Sequence, residues 1–132
     1  REFAERHGLE PLGVIRGWAS AALPPEETGL GPTKALPKAL AKAGIGIGDL
    51  ASVEINEAFA SMAVASTRIL GLDREIVNVN GSGCSLGHPI ACTGARMIVT
   101  MVNELARIDA RWGAVAMCAA GGMGSATVIE RP

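Results

Sequence analysis

Apolar residues recur along this chain with two spacings, one typical of helices and the other of strands. Three segments with helical spacing are predicted to be helices, residues 31–43, 57–70 and 89–107. β-Branched and apolar runs bounded by glycine and proline predict five strands, residues 12–19, 53–56, 76–79, 113–119 and 125–130. Residues 1–8 are interpreted as the end of a further helix, closed by Gly8. Because strands and helices alternate until a closing antiparallel hairpin, we predict an α/β fold with a mixed, mainly parallel sheet and helices on its faces.

Composition narrows the class of protein. The 132 residues suffice for one domain, and they are 48% hydrophobic but only 3% aromatic, so we expect a core of Ala, Val, Ile, Leu and Met. A net charge of −1 without a basic patch argues against nucleic acid or an anionic membrane as a partner. No apolar run reaches the roughly 20 residues that span a bilayer. The three cysteines lack the spacing of a disulfide framework, which indicates reduced thiols and a cytoplasmic location.

The segment of residues 78–96, N-V-N-G-S-G-C-S-L-G-H-P-I-A-C-T-G-A-R, combines a β-branched run, a glycine-rich loop and the predicted start of the long helix. Proline is favoured at the first position of a helix, so Pro89 places His88 at or beside the N-cap. The positive end of the helix dipole disfavours an imidazolium there. We therefore expect a neutral His88 that donates from one ring nitrogen, accepts at the other and is suited to polarise a carbonyl oxygen.

Three polar or reactive residues, Asn56, His88 and Cys118, fall where predicted strands end. Ligands of open α/β sheets bind outside the carboxyl ends of strands, so these residues are expected to converge on one site. Each also has a simpler interpretation, because Asn56 suits a helix cap, His88 a loop histidine and Cys118 an inert buried thiol. The turn that follows Cys118, A-A-G-G-M-G, favours the functional interpretation, since successive N–H groups in such a turn would stabilise a thiolate.

Two other motifs compete for the glycine-rich segment. Cys84, His88 and Cys92 are spaced like metal ligands, but the glycines and Pro89 prevent one helix from presenting all three, and no fourth ligand is adjacent. We therefore predict no metal site. Glycines at 81, 83 and 87 suggest a dinucleotide loop, yet their spacing departs from G-x-G-x-x-G and His-Pro stands where a pyrophosphate would bind.

Three blocks together resemble the motifs of thiolases, the acetyl-CoA acyltransferases. They are N-E-A-F-A at residues 56–60, L-G-H-P-I with T-G-A-R at residues 86–96, and C-A-A-G-G-M-G at residues 118–124. The segments A-E-R-H-G-L-E-P-L and G-L-G-P-T-K-A-L-P-K-A-L are similar to the same family's C-terminal half. The resemblance covers essentially the whole chain and implies the C-terminal half of the layered thiolase fold. N-E-A-F also differs from the sterol-carrier type of thiolase, which has a histidine in place of the asparagine.

The resemblance implies a role for each motif residue. Cys118 resembles the acid/base cysteine that removes a proton from the methyl carbon of acetyl-CoA and returns one during cleavage. His88 resembles the histidine that donates to the thioester oxygen as the enolate forms and helps to activate the nucleophile. Asn56 resembles the residue that holds a water as the second donor of this oxyanion hole. The backbone N–H of Ala120 would belong to the oxyanion hole of the acyl-enzyme.

The resemblance also implies that Ala58 and Phe59 line the tunnel for pantetheine. Three departures from the family pattern leave the acyl-chain preference open: Ala120 stands where glycine is usual, residues 82–84 replace a more apolar run, and residues 91–92 replace a smaller pair. The acylated cysteine of thiolases lies in the N-terminal half, and nothing here matches its surroundings. We therefore expect residues 1–132 to be a thiolase C-terminal domain truncated at its N-terminal end and inactive alone.

Three functions remain as hypotheses. The first is acyl transfer between CoA thioesters, by Claisen condensation or thiolytic cleavage, in a protein that also contains the N-terminal half. The second is a non-catalytic thiolase-like module that binds CoA. The third is a cysteine hydrolase built on Cys118 and His88, which we disfavour because no third residue is placed to orient the imidazole. The family implies a CoA thioester as substrate, no separate cofactor, and a homodimer or tetramer.

Overall fold

A four-stranded mixed sheet forms the centre of the molecule. The structure, a computed structural model, describes residues 2–132. Its strands are β1 (Val14–Ala22), β2 (Ser52–Ile55), β3 (Trp112–Ala119) and β4 (Met123–Glu130), in the order β1-β4-β3-β2 across the sheet. β4 is antiparallel to β1 and to β3, whereas β2 is parallel to β3. The mixed α/β fold is confirmed, but the sheet is not mainly parallel, because the closing hairpin reverses β4 and β1 then pairs with β4.

Helices cover both faces of this sheet. Helix α1 (Glu2–Arg6) buries none of its residues, so the covering helices are α2 (Gly31–Ala43), α3 (Ala60–Leu70) and α4 (Thr93–Arg107). Short 3-10 turns lie at Pro25–Leu30, Ile47–Asp49 and Arg74–Ile76. The larger hydrophobic cluster joins α2 and α3 to the sheet through buried side chains that include Ala35, Leu36, Ala39, Leu40, Ala63, Val53, Ile55 and Val128. A second cluster joins α4 to the sheet through Met97, Met101, Leu105, Val115 and Ile129. The buried side chains of both clusters are aliphatic, as the composition predicts.

Small residues bring α2 very close to β1. A Cβ atom added at Gly17 would lie 2.4 Å from the carbonyl oxygen of Ala39, so glycine is required at this contact. Ala19 and Ala21 point toward the same face and are also buried. The predicted end of α2 is confirmed at Gly44, whose φ of +73° is the left-handed conformation that closes many helices.

The predicted strand at residues 76–79 is wrong. Arg74–Ile76 is a 3-10 turn, and Val77 makes only an isolated parallel bridge with Val53. Asn78 has a φ of +52°, which turns the chain away from the sheet. Its side-chain amide replaces the missing strand pairing, because Oδ1 accepts from the N–H of Ile55 at 2.8 Å and Nδ2 donates to the Ile55 carbonyl at 2.9 Å. A local β-branched run therefore ends in an asparagine that pairs through its side chain.

Two helices begin later than the sequence predicts. Helix α3 begins at Ala60 rather than at residue 57, and its N-cap residue, Phe59, has extended backbone angles. Helix α4 begins at Thr93 rather than at residue 89, because Ala91 has a φ of +59°. This left-handed residue ends the single turn that Pro89 starts and keeps that turn separate from α4. The helix predicted at residues 1–8 is present as α1, although Arg1 lies outside the described residues, and Gly8 is left-handed.

Candidate functional site

An open cavity of about 800 Å³ lies beyond the carboxyl ends of β2 and β3. Five of the six predicted site residues line it, namely Ala58, Phe59, His88, Cys118 and Ala120. The sixth, Asn56, is fully buried directly behind His88. Met62, Pro89, Ile90 and Met117 add apolar wall to the same space. The structure therefore brings together the residues that the sequence places at separate strand ends.

Asn56 is fixed by its position at the end of β2. Its backbone N–H donates to the carbonyl of Ala116 in β3 at 2.9 Å, which continues the parallel pairing by one residue. Its side-chain Nδ2 lies 3.3 Å from Nε2 of His88, and its buried Oδ1 has no hydrogen-bond partner. A Cβ atom at Gly83 would lie 2.9 Å from that Oδ1 and 2.9 Å from the carbonyl oxygen of Glu57, so the glycine-rich loop packs directly on this strand end.

His88 is held through both ring nitrogens. Nδ1 lies 2.6 Å from the hydroxyl oxygen of Thr93, and Nε2 faces Asn56. Because α4 begins at Thr93 with Cys92 as its N-cap, His88 is not at the start of the helix. The helix dipole therefore gives no reason to expect a neutral His88. The expectation that no residue orients the imidazole is also wrong. The sequence did not indicate this role for Thr93, because residue 93 was predicted to lie inside a helix that began at residue 89.

Cys118 lies one residue before the end of β3, where it pairs with Gly124 of β4. Burial raises the pKa of its thiol, against a smaller opposing effect of a backbone hydrogen bond. The expectation that the following turn would favour a thiolate is therefore wrong. One physical reason is that the N–H of Gly122 in that turn donates to the hydroxyl of Thr28 at 2.8 Å. The neutral thiol is the favoured form of Cys118.

An ion pair that no sequence pattern indicates holds the glycine-rich loop that leads to His88. Arg96 of α4 donates to Oε1 of Glu54 in β2, and the side chains are 18% and 4% exposed. The hydroxyl of Ser82, in the glycine-rich loop, donates to the same carboxylate oxygen at 2.8 Å. The alternation of polar and apolar residues at 52–56 places Glu54 on one face of β2 but gives no sign of its distant partners.

A second carboxylate holds the other side of the same loop. Glu57 accepts from the backbone N–H of Cys84 at 3.1 Å through Oε2, and from Nδ2 of Asn78 at 3.4 Å through Oε1. The thiol of Cys84 donates to the Glu57 carbonyl at 3.6 Å. Glu57 therefore holds the glycine-rich loop through both of its carboxylate oxygens and its carbonyl. All three cysteines are free thiols, and no group of three or more His, Cys, Asp or Glu side chains within residues 2–132 is arranged to hold a metal ion.

Comparison with known proteins decides the family. A sequence model described as the C-terminal domain of thiolase matches residues 9–131. The chain belongs to the thiolase family. It is 46% identical over 130 residues to a 3-ketoacyl-CoA thiolase of Bacillus subtilis, and 50% identical over 133 residues to the peroxisomal 3-ketoacyl-CoA thiolase B of Mus musculus. These matches cover 98% and 100% of this chain but only 33% and 31% of the relatives.

Solved thiolase structures confirm the fold. The acetyl-CoA acetyltransferase of Bacillus anthracis superposes with a TM-score of 0.96 and is 45% identical. Human mitochondrial 3-ketoacyl-CoA thiolase gives a TM-score of 0.97 with 36% identity. Each match covers the whole of this chain and about a third of the solved one, at 34% and 33%. Both the predicted thiolase family and its C-terminal layered fold are thus confirmed.

None of the helices described within residues 2–132 is both long enough and apolar enough to cross a membrane.

Proposed function

We propose that this chain supplies the enolate-forming part of a thiolase active site, which acts on acyl-CoA thioesters. The observation that carries the proposal is the shared cavity, which a thiol and a hydrogen-bonded imidazole both line within largely apolar walls. Enolate chemistry needs an acid/base group beside the carbon and a donor beside the oxygen. A single lost oxyanion donor typically costs about 10²–10³ in rate. Cys118 and His88 are the groups suited to these two roles.

The favoured neutral state of Cys118 has a mechanistic consequence. During cleavage, the thiol gives its proton to the enolate carbon of the departing acetyl-CoA, which forms the methyl group and leaves a thiolate. During condensation, the thiol first transfers its proton to Nε2 of His88. The thiolate then removes a proton from the methyl group of acetyl-CoA, and the protonated ring donates to the enolate oxygen. Charge stays balanced in both directions. In condensation the thiolate is formed together with an imidazolium, and in cleavage it replaces the negative charge of the enolate that it protonates and then recovers a proton from the imidazolium.

The remaining site residues serve binding and polarisation in this proposal. Asn56 completes the donor set around His88, either directly through its amide or through a water. Ala120 lines the cavity from the turn after β3, and its backbone N–H would donate to the oxygen of the acyl-enzyme. Ala58 and Phe59 provide apolar wall for pantetheine, and Phe59 is 71% exposed, so its ring is free to contact a ligand.

The nucleophile that carries the acyl group is proposed to lie in a further segment. The chain spans about a third of its relatives, and Cys84 and Cys92 are exposed outside the residues that line the cavity. We propose that residues 1–132 form the C-terminal domain of the intact protein, working with an N-terminal thiolase half in a homodimer or tetramer. A cytoplasmic location is proposed because the cysteines are free.

The test separates the two half-reactions in the full-length protein. Cys118→Ala is expected to abolish condensation of acetyl-CoA while leaving acylation of the protein by radiolabelled acetyl-CoA largely intact. Cys92→Ala is the matched control, because this exposed cysteine does not line the cavity, and it is expected to leave both half-reactions unchanged. Loss of acylation in Cys118→Ala would instead identify Cys118 as the nucleophile of a hydrolase. Binding of CoA with no acylation in the unaltered protein would favour a non-catalytic module.

A further inference from the structure

Thr93 connects His88 to a backbone carbonyl. It is the first residue of α4 and only 5% exposed. Its hydroxyl oxygen lies 2.9 Å from the carbonyl oxygen of Pro89 and 2.6 Å from Nδ1 of His88. A hydroxyl has one proton to donate, and a carbonyl oxygen only accepts. The hydroxyl therefore donates to Pro89 and accepts from His88, which requires a proton on Nδ1.

The opposite side of the ring agrees with this assignment. A neutral imidazole carries one N–H, so a proton on Nδ1 leaves Nε2 with its lone pair. The atom that faces Nε2 is Nδ2 of Asn56, a donor, at 3.3 Å. The two hydrogen bonds of the Thr93 hydroxyl thus select one tautomer, and the Asn56 amide, as oriented, donates to the ring nitrogen that carries no proton.

We propose that Thr93 is a positioning residue that holds neutral His88 as the Nδ1–H tautomer and makes Nε2 the only ring atom that gains and loses a proton. The role of this tautomer in catalysis rests on the proposed function, whereas the tautomer itself rests only on the hydrogen bonds. The neutral ring cannot donate through Nε2 until that atom is protonated, which differs from the neutral donor expected from the sequence.

The chain of hydrogen bonds also ends at Pro89. Its carbonyl oxygen is not a proton acceptor in the acid/base sense, so the Nδ1 proton has no onward path. When a thiol transfers its proton to Nε2, the thiol becomes a thiolate and the ring becomes an imidazolium with both N–H groups. The Nδ1 proton stays on the ring, hydrogen-bonded to Thr93. The Nε2 proton is the one that the ring takes from a thiol, donates as a hydrogen bond to the enolate oxygen and later returns to a thiolate. The same ring atom therefore serves as base and as oxyanion donor in successive steps.

The test measures the tautomer by NMR in full-length protein labelled with ¹⁵N-histidine. Loss of one signal in His88→Gln assigns the ring. The unaltered protein is expected to show Nδ1–H, and Thr93→Ser, which retains the hydroxyl, is expected to keep it. Thr93→Val removes the hydroxyl, so the ring is expected to shift toward Nε2–H, the tautomer that free histidine favours in water. Thr100→Val is the matched control, because Thr100 makes the same kind of hydroxyl bond within α4, to the Arg96 carbonyl at 3.1 Å, and it is expected to leave the tautomer unchanged.

Kinetics in the same variants provide a second measurement. Thr93→Val is expected to lower kcat about 10–10²-fold with KM within about twofold, because the ring is in the wrong tautomer rather than absent. Thr93→Ser is expected to restore most of the rate. An Nε2–H tautomer in the unaltered protein, or an unchanged tautomer in Thr93→Val, would overturn the inference. If Thr93→Val does not fold, the unaltered protein still decides the tautomer. An Nδ1–H ring in a protein that never becomes acylated would refute the proposed function and leave this assignment standing.

Discussion

The ion pair between Glu54 and Arg96 gives the sharpest stability prediction. It joins β2 to α4, and the same carboxylate also holds Ser82 of the loop that leads to the imidazole. Glu54 Oε2 and Arg96 Nε are buried without hydrogen-bond partners, so the pair is not fully compensated by its surroundings. Replacing Arg96 by Met leaves a carboxylate that is only 4% exposed without its positive partner. We expect Arg96→Met to cost about 3–5 kcal/mol of unfolding free energy.

The complementary change is expected to cost less. Glu54→Gln keeps the shape of the side chain and an oxygen that accepts from Ser82, while Arg96, at 18% exposure, retains some access to water. A loss of about 2 kcal/mol is expected, the usual cost of a lost hydrogen bond to a charged group. The double variant removes both charges, so it is expected to lose less than the sum of the single variants by about 1–3 kcal/mol.

Urea unfolding followed by fluorescence of Trp18 and Trp112 measures these free energies. The control is Arg111→Gln, because Arg111 is 69% exposed where it pairs with Glu130, and exposed pairs contribute about 0–1 kcal/mol. Comparable m-values in all variants are needed for the comparison. A double variant that equals the sum of the singles within about 0.5 kcal/mol would refute the reasoning, since it would mean that the two charges do not interact.

Three further changes test other parts of the structure. Ala91→Gly is expected to raise the unfolding free energy measured in urea by about 0.5–1 kcal/mol. The reason is that the strain of a left-handed alanine (φ +59°) exceeds the free-energy cost of the extra freedom that glycine gives the unfolded chain. A lower unfolding free energy in the variant would contradict this. Gly124→Ala would place a Cβ atom 2.2 Å from the Gly31 carbonyl oxygen, so it is expected to lower the unfolding free energy by about 3 kcal/mol or more. In the control Gly48→Ala the new Cβ atom meets nothing within 4 Å, and a change of less than about 0.5 kcal/mol is expected. Because burial raises the pKa of Cys118, the folded chain retains this thiol proton at a pH where the unfolded chain has lost it. The unfolding free energy is therefore expected to fall from about pH 8.5 upward, and to fall less steeply in Cys118→Ser. Equal slopes of the two proteins between pH 7 and about 10 would contradict the role of burial.

Local patterns were sufficient for many of the elements. Apolar spacing predicted α2 with its end at Gly44, and the glycine-rich turn predicted the β3–β4 hairpin. Motif positions also placed Asn56 and Cys118 at strand ends, and parallel pairing of β2 with β3 then brings both to one edge of the sheet. These features depend on residues close in sequence, or on the general rule that adjacent parallel strands end at the same edge of a sheet. No knowledge of particular distant contacts was therefore needed.

Contacts between distant residues decided the rest. Asn78 pairs with Ile55 through its side chain, which no strand propensity indicates, and β1 pairs with β4 across more than a hundred residues, from Val14 to Glu130. The ionisation of Cys118 depends on the burial that packing imposes.

The sequence by itself determined which chemical groups the site contains, because those are fixed by residue identity and short-range order. Only the tertiary structure decided their protonation and hydrogen-bonding states. The tautomer of His88 depends on a threonine five residues later and an asparagine 32 residues earlier. Such states are set by distance and solvent exclusion between groups that the chain brings together only when it folds.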